Sequence, residues 1–542
     1  MPPEVAQATA DSTLARERAR SRLRSLQQRA GWWRGELETN VTMDAEDLLM
    51  REFLSIRTAA ETAGAARWIR GQQRGDGTWG NYHGAPGDLS TTIEAYLALR
   101  LAGDAPEQPH MDRAARWVRE QGGVEQARVF THIWLALFGL WSWDLVPAAP
   151  PEVVLLPRWA PLNIYSFACW ARQTAVAIAL VCAHRPVRPL GLEIPELHCD
   201  VSVAVPGAVP GAAPGSAQGS ASAPPASRAP AAARGSRAAR VFALLDRVLH
   251  AYERHPPRPL RRLAVARAER WVLRRQEANG GWGGIQPPWV YSILALHLGG
   301  IALEDPVLAR ALEGLEDFLV EDERGRRLEA CQSPVWDTAL AMIALHDAGA
   351  EPDDPALVAA ADWLIGKQIL AGGDWQVRRP RLAPGGWAFE FANDGYPDVD
   401  DTAECLIALH RTRIPDEARR RAAIERGLAW MIGMQSGDGG WGAFDAENTS
   451  TLIAELPFFD FGAVIDPPSA DVTAHVVEAL ALLGHGDGEP ARRGVAWLRA
   501  AQEDDGSWFG RWGVNHIYGT GAAVPALVAA GISTNDQRIR RA

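Results

Sequence analysis

Gln435-Ser436-Gly437-Asp438-Gly439-Gly440-Trp441 follows a helical pattern carrying Trp430-Met431, and it decides the fold because it recurs. The same order appears as Gln73…Gly77-Thr78-Trp79, Gln276…Gly280-Gly281-Trp282, Gln368…Gly373-Asp374-Trp375 and Gln502…Gly506-Ser507-Trp508. Each copy follows a helix bearing its own tryptophan: Trp68, Trp271, Trp363, Trp430 or Trp497. A further helix around Trp117 ends in Gln121-Gly122-Gly123 without the closing tryptophan. Glycine just past a helix can adopt the left-handed cap conformation, which lets the tryptophan stack back on the glutamine amide and the next helix. A unit repeated at this rate is the signature of stacked supersecondary pieces.

Working outward, a second unit follows most of these loops. Thr91–Leu99, Asp337–Leu345, Asp401–Leu409, Val472–Leu480 and Gly519–Leu527 are apolar nearly all round, as buried helices are. The tryptophan-bearing helices are amphipathic, so they form an outer layer around inner ones. Alternating outer and inner helices close into an α/α ring, and strand signals are weak throughout. The fold class is therefore all-α. The repeats also explain much of an unusual composition, 22 Trp against 7 Tyr.

A net charge of −11 argues against a nucleic-acid partner, which needs a basic face. Five scattered cysteines with no CxxC pair read as free thiols in a reducing compartment. Met1–Arg34 is Arg-rich and lacks the apolar core of a signal peptide. No apolar run reaches the roughly 18 residues that span a bilayer, so any membrane contact is made from the surface. The Pro/Ala/Gly/Ser-rich stretch between Val201 and Arg240 buries too little apolar area to order itself and reads as a disordered loop insertion.

The sharpest chemical feature is Gly395-Tyr396-Pro397-Asp398-Val399-Asp400-Asp401-Thr402-Ala403. Three carboxylates crowd the first turn of an inner helix. Asp is favoured at helix N-termini, but one would suffice as a cap. Adjacent like charges cannot all ionise cheaply, so one carboxyl stays protonated. A buried neutral carboxyl facing an apolar space is a Brønsted acid.

With its Gln…Gly-x-Trp copies, the Asp-x-Asp-Asp-Thr-Ala run resembles squalene–hopene cyclases and their oxidosqualene cyclase relatives. Gly283-Gly284-Ile285-Gln286-Pro287-Pro288-Trp289, Ser333-Pro334-Val335-Trp336-Asp337-Thr338, Asp466-Pro467-Pro468-Ser469-Ala470-Asp471-Val472-Thr473-Ala474-His475 and Trp508-Phe509-Gly510-Arg511-Trp512-Gly513 match as well. The resemblance covers essentially the whole chain except the insertion. It implies two α/α barrels of the α6–α6 type: a catalytic domain from 1–39 plus 331–542, and a second domain from 40–330 inserted into it. It implies proton-initiated cyclisation of squalene to hopene- or hopanol-type triterpenes without metal or cofactor. Asp400 would be the acid, Asp398 and Asp401 would orient it, and His475 would hydrogen-bond it. Trp170, Trp336, Phe389, Phe444, Trp512 and Tyr518 would line the cavity and stabilise carbocations, Phe444 standing where tyrosine is expected. Glu46, Glu94, Arg128, Trp134, Gln286 and Tyr291 would manage deprotonation or water capture at the far end. It further implies monotopic attachment to the cytoplasmic side of the cell membrane, and it allows a homodimer.

Family chains continue beyond the region of Gly519-Thr520-Gly521, so this chain, ending at Ala542, is expected to be shortened at its C-terminus, with an open catalytic barrel and weak or no activity. Four rivals follow: a truncated inactive or lipid-binding homologue, a class II diterpene cyclase, a metal-dependent prenyl-transfer enzyme using Asp400-Asp401-Thr402-Ala403-Glu404 as a DDxxD-type site, and a zinc prenyltransferase whose ligands Asp401, Cys405 and His475 would imitate. The polar cluster and the His475 motif favour triterpene chemistry over the second. A zinc prenyltransferase would need a ligand set that the loose step from Asp401 to Cys405 does not supply.

Overall fold

The computed structural model describes residues 3–199, 237–454 and 463–542. The stretch read as a loop insertion lies outside the described residues except for 237–240, which open the helix Arg237–Arg254. The chain divides into two compact units. One comprises Met1–Glu36, Gln332–Thr449 and Asp466–Ala542; the other comprises Leu37–Cys331 and Ser450–Ile465. The second unit therefore recaptures a segment expected in the first. Ile453 and Val464 pack with Phe167 and Ala171, and the Ala168 N–H donates to the Val464 carbonyl at 2.8 Å.

In the first unit four buried helices pack in succession: Pro334–Asp347 on Val399–Arg411, that on Ala470–Leu482, and that on His516–Ala529. Amphipathic helices cover the first three, Pro355–Lys367, Glu417–Gly433 and Glu489–Ala501 respectively. In the second unit Cys169–His184 packs on Gln286–Leu298 and Thr42–Phe53 on Leu89–Leu101. Its short antiparallel hairpin pairs Leu319–Asp322 with Gly325–Leu328. Arg326 there donates to Asp47 at 2.7 Å, and Asp47 also takes the Arg51 guanidinium.

The repeated loops are hydrogen-bonded corners. Gln435 Nε2 donates to the carbonyls of Gly439 and Pro490 at 2.8 and 3.0 Å. Trp441 Nε1 reaches back to the Met431 carbonyl at 2.9 Å, and its own N–H is taken by Thr473 Oγ1 of the next buried helix at 3.1 Å. The glycine has φ +102°, which other residues adopt only with strain. Copies at Gln73/Trp79 and Gln502/Trp508 repeat the scheme, with Thr92 and Thr520 in the threonine's place. The two sequence patterns are thus halves of one unit: the loop tryptophan is tied to the outer helix by its indole and to the inner helix by its backbone.

One assignment is corrected. Gln368 does not pair with Gly373 and Trp375. Its Nε2 donates to the carbonyls of Gly385 and Ala423 at 2.7 and 2.8 Å, and Trp387 supplies the indole bonded to Leu364 at 2.7 Å. Residues 369–384 are an excursion inside the corner, and Trp375 lies on a short turn, Asp374–Val377, edge-on to Trp430. A further corner escaped the sequence reading. Gln27 Nε2 donates to Gly31 and Ala356 carbonyls at 2.8 and 2.9 Å, and Trp33 bonds Leu23 and Thr338 in the same way. Its spacing, Gln27, Gly31 and Trp33, equals that of the Gln73 copy and was readable.

Candidate active site

The corrected corner is the one that carries the carboxylates. The Trp387 carbonyl accepts the Asp398 N–H at 2.6 Å, and Thr402 Oγ1 accepts the Trp387 N–H at 3.0 Å. Asp398 is the N-cap of Val399–Arg411, accepting from the N–H groups of Asp400 and Asp401 at 2.7 and 3.4 Å. Capping falls to Asp398 alone, which leaves the Asp400 and Asp401 side chains free of that task. Asp398, Asp400 and Asp401 are only 5, 6 and 1% exposed. Burial first, then the neighbouring carboxylates, push Asp398 and Asp401 well above the ordinary carboxylate range. Asp401 Oδ1 is buried without a partner.

Asp400 is held differently. His475, from the helix Ala470–Leu482, places Nδ1 2.6 Å from Asp400 Oδ1. Burial alone would lower the imidazole pKa; the Asp400 and Glu404 carboxylates overcome it and hold the ring at about 10. An imidazolium thus faces Asp400. Glu404 Oε1 lies 3.7 Å from the same nitrogen. The sequence reading gave Glu404 no role in proton chemistry, although its i+4 spacing from Asp400 puts both on one helix face.

Aromatic side chains surround this pair. The Trp336 and Tyr518 rings lie 6.0 and 6.1 Å from the His475 ring, the latter edge-on. Both line a cavity of about 720 Å³ with Glu404, Ile407 and His475; Asp400 is not part of its wall. Phe444 and Trp512 form a second pair, edge to face at 5.6 Å. Phe389 is half-buried, its carbonyl taking the Val335 N–H at 3.3 Å. Trp170 belongs to the other unit, where its indole donates to the Ala463 carbonyl at 3.0 Å.

Within that second unit the six polar residues named from the sequence include a buried group. Glu46, Glu94, Trp134, Gln286 and Tyr291 are each at most 4% exposed. Burial first, then the charge of Glu94, raises Glu46 to about 8. Burial raises Glu94 against the pull of Arg128. Arg128 is less buried, within 3.5 Å of both Asp88 and Thr91. Trp134 and Tyr291 are ring neighbours at 5.8 Å. Trp134 and Gln286 stand beside the Glu46 carboxyl, and Trp134 also beside the Tyr291 hydroxyl, each near enough to hold its neighbour's pKa down against burial. Gln173, which the sequence did not suggest, has both amide atoms unpaired. It packs close to Gly283, where a Cβ would meet its amide.

Two domain models cover the chain, the squalene-hopene cyclase N-terminal domain over residues 17–324 and the C-terminal domain over 332–542. The chain belongs to the squalene–hopene cyclase family. It is 46% identical to the squalene–hopene cyclase of Alicyclobacillus acidocaldarius over 519 residues, which is 95% of this chain and 78% of that one. It is 38% identical to the Zymomonas mobilis squalene–hopene cyclase, over 97% of this chain and 78% of that one. Dammaradiene synthase of Dryopteris crassirhizoma is 37% identical over 97% of this chain and 75% of its own length. The C-terminal cyclase model runs through to residue 542, so the expected shortening of the chain finds no support in the match.

Proposed function

We propose that this chain protonates squalene and cyclises it to hopene- or hopanol-type triterpenes, with Asp400 as the acid. The observation that carries this reading is the 2.6 Å contact between His475 Nδ1 and Asp400 Oδ1 at the start of a buried helix. Oδ1 is taken by the imidazole, so Oδ2 carries the proton to the terminal alkene. The alkene electron pair forms the new C–H bond and leaves a tertiary cation. The carboxylate left behind is stabilised by the imidazolium: two unit charges about 4 Å apart at an effective dielectric near 20 interact by about 4 kcal/mol. The helix N-terminus adds to this. Asp398 fixes the first turn, and Asp401 adds a neutral carboxyl beside it.

The advancing cation needs negative potential without a nucleophile. Faces of Trp336, Tyr518, Phe444, Trp512, Phe389 and Trp170 are the candidates, each worth up to about 2 kcal/mol when dry. The buried polar cluster of Glu46, Glu94, Gln286, Trp134 and Tyr291 supports a role at the end of the reaction. Buried polar groups take partners, and water bound to them can accept the final proton to give the alkene or add to the cation to give the alcohol. Squalene dissolves in lipid, and no described helix is long and apolar enough to cross a membrane; we infer attachment at the membrane surface.

The test is product analysis with squalene in detergent. Wild type is expected to form pentacyclic product and Asp400→Asn none. Equal product from both would sink the assignment.

A further inference from the structure

Gln173 is a buried polar side chain that the reaction described above leaves idle. It is 2% exposed, and neither its amide nitrogen nor its amide oxygen has a hydrogen-bond partner. Buried polar groups take partners, and an amide that offers both a donor and an acceptor suits water.

Its position ties it to the end of the reaction. Gln173 lies on the helix Cys169–His184, which packs on Gln286–Leu298. The amide nitrogen stands against Gly283, where a Cβ would come within 2.6 Å of it. Gly283 has φ +66°, so the turn and the amide both call for glycine there. Three residues on, Gln286 opens the helix that carries Tyr291. Further along the Gln173 helix, Cys182 is near enough to act on Tyr291 electrostatically. The two helices therefore run side by side, with Gln173 level with the start of the second. Trp170, one of the aromatic faces offered to the cation, precedes Gln173 by three residues and shares its helix face.

Resting on the reading that cyclisation ends at the cluster around Gln286, we propose that Gln173 is a specificity-determining residue for that step, holding a nucleophilic water that directs the last cation towards the alcohol rather than the alkene.

The chemistry of the amide decides which product it favours. Gln173 Oε1 accepts one O–H of the water, and the water's lone pairs then face away from the amide. A neutral amide takes no proton at ordinary pH, so it positions the water without making it a stronger base. In the addition, a water lone pair forms the C–O bond to the cationic carbon. The oxonium then gives one proton to a second water, which passes it to solvent. In the elimination, a C–H bond beside the cationic carbon breaks, its electron pair becomes the second bond of the alkene, and the proton leaves on water. Either route releases the proton that began the cyclisation, so the placement of the water divides the products.

Gln173→Met keeps the length of the side chain and removes both amide atoms. With squalene in detergent and products separated by gas chromatography, its alcohol-to-alkene ratio should fall at least about fivefold, the loss of one hydrogen bond, with total cyclised product within about threefold of wild type. Gln173→Asn, which keeps the amide, should recover most of the ratio. Gln173→Leu serves in the same way if the methionine variant does not fold. An unchanged ratio, an equal loss of both products, or wild type that forms the alkene alone overturns the proposal. A dry amide that merely fills space would be relieved by methionine, raising the melting temperature at an unchanged ratio, and that result overturns it too. Absence of any cyclised product from wild type is a failure of the Asp400 reading instead, because the ratio is read only among cyclised products.

Discussion

Asp400 and Asp471 occupy the same place in two copies of one structural unit. Each lies two residues before the threonine, Thr402 or Thr473, that accepts the backbone N–H of its corner tryptophan. Both are buried at the start of an inner helix. Their partners differ. Asp471 accepts from Ser469 Oγ on one oxygen at 2.6 Å and from the Trp512 N–H on the other at 2.7 Å. Asp400 has a carboxylate on either side in sequence and a single imidazole on one oxygen. The repeat delivers a buried carboxyl to a defined position in both cases. Fixed neutral donors make Asp471 a brace for the loop at Trp512, while a partner that itself titrates suits Asp400 to the acid role proposed for it.

The largest effect should separate them by function. Asp400→Asn is expected to lower cyclisation by about 10⁴-fold, the upper range for a general acid, with its melting temperature lowered as well, because the buried His475 imidazolium loses its counter-charge. Product yield and a melting curve together check this. Next is His475→Gln, expected to cost ~10²–10³-fold through loss of the charge that stabilises the Asp400 carboxylate. His475 also gives a signed pH effect. Its folded pKa, about 10, lies above the ordinary 6.5. The stability it contributes is full below about pH 6.5 and is lost as pH rises through about 10. Wild type should lose denaturation midpoint over that window and the variant should not. Asp471→Asn should act on stability instead. The amide cannot accept on both sides, so one donor is left buried, costing about 2 kcal/mol. A large loss of activity per folded Asp471→Asn molecule would break the contrast.

Much of this was legible before any coordinates. The Gln–Gly–Trp corners and the apolar helices were readable because their chemistry is local: a glycine cap, an indole and an amide within a few residues. The carboxyl cluster was readable because its three members lie within four residues. His475 came from a matching motif, since nothing local links it to Asp400, 75 residues away. Glu404 was overlooked although it shares a helix face with Asp400, because its meaning lies in the imidazole and the cavity that other helices supply. The Gln368 corner was misassigned because Gly373-Asp374-Trp375 mimics the motif at nearly the right distance, and only the hydrogen bonds of Gln368 identify Gly385-Gly386-Trp387 as the true continuation. The grouping of Ser450–Ile465 with the other unit was not legible for a similar reason: Ile453 and Val464 declare their partners only in space.

That misassignment offers the smallest and most discriminating measurement. Trp387 and Trp375 are both buried, at 0 and 2% exposure. The Trp387 indole donates to Leu364 at 2.7 Å, whereas Trp375 Nε1 has no partner. Replacing either by phenylalanine removes similar apolar area and leaves a similar void, so the packing losses largely cancel in the comparison. What remains is the hydrogen bond. Trp387→Phe strands a helix-end carbonyl that the corner otherwise satisfies, whereas Trp375→Phe deletes a donor that was already unsatisfied, which is close to neutral in hydrogen-bond terms. Trp387→Phe should therefore be the more destabilising by about 1 kcal/mol in denaturant titration, matching Trp441→Phe, whose indole is bonded to Met431 in the same way. If Trp375→Phe were instead as costly as Trp441→Phe, the corner would have to be redrawn around Trp375, and the tie between the acid helix and Trp387 would lose its structural basis.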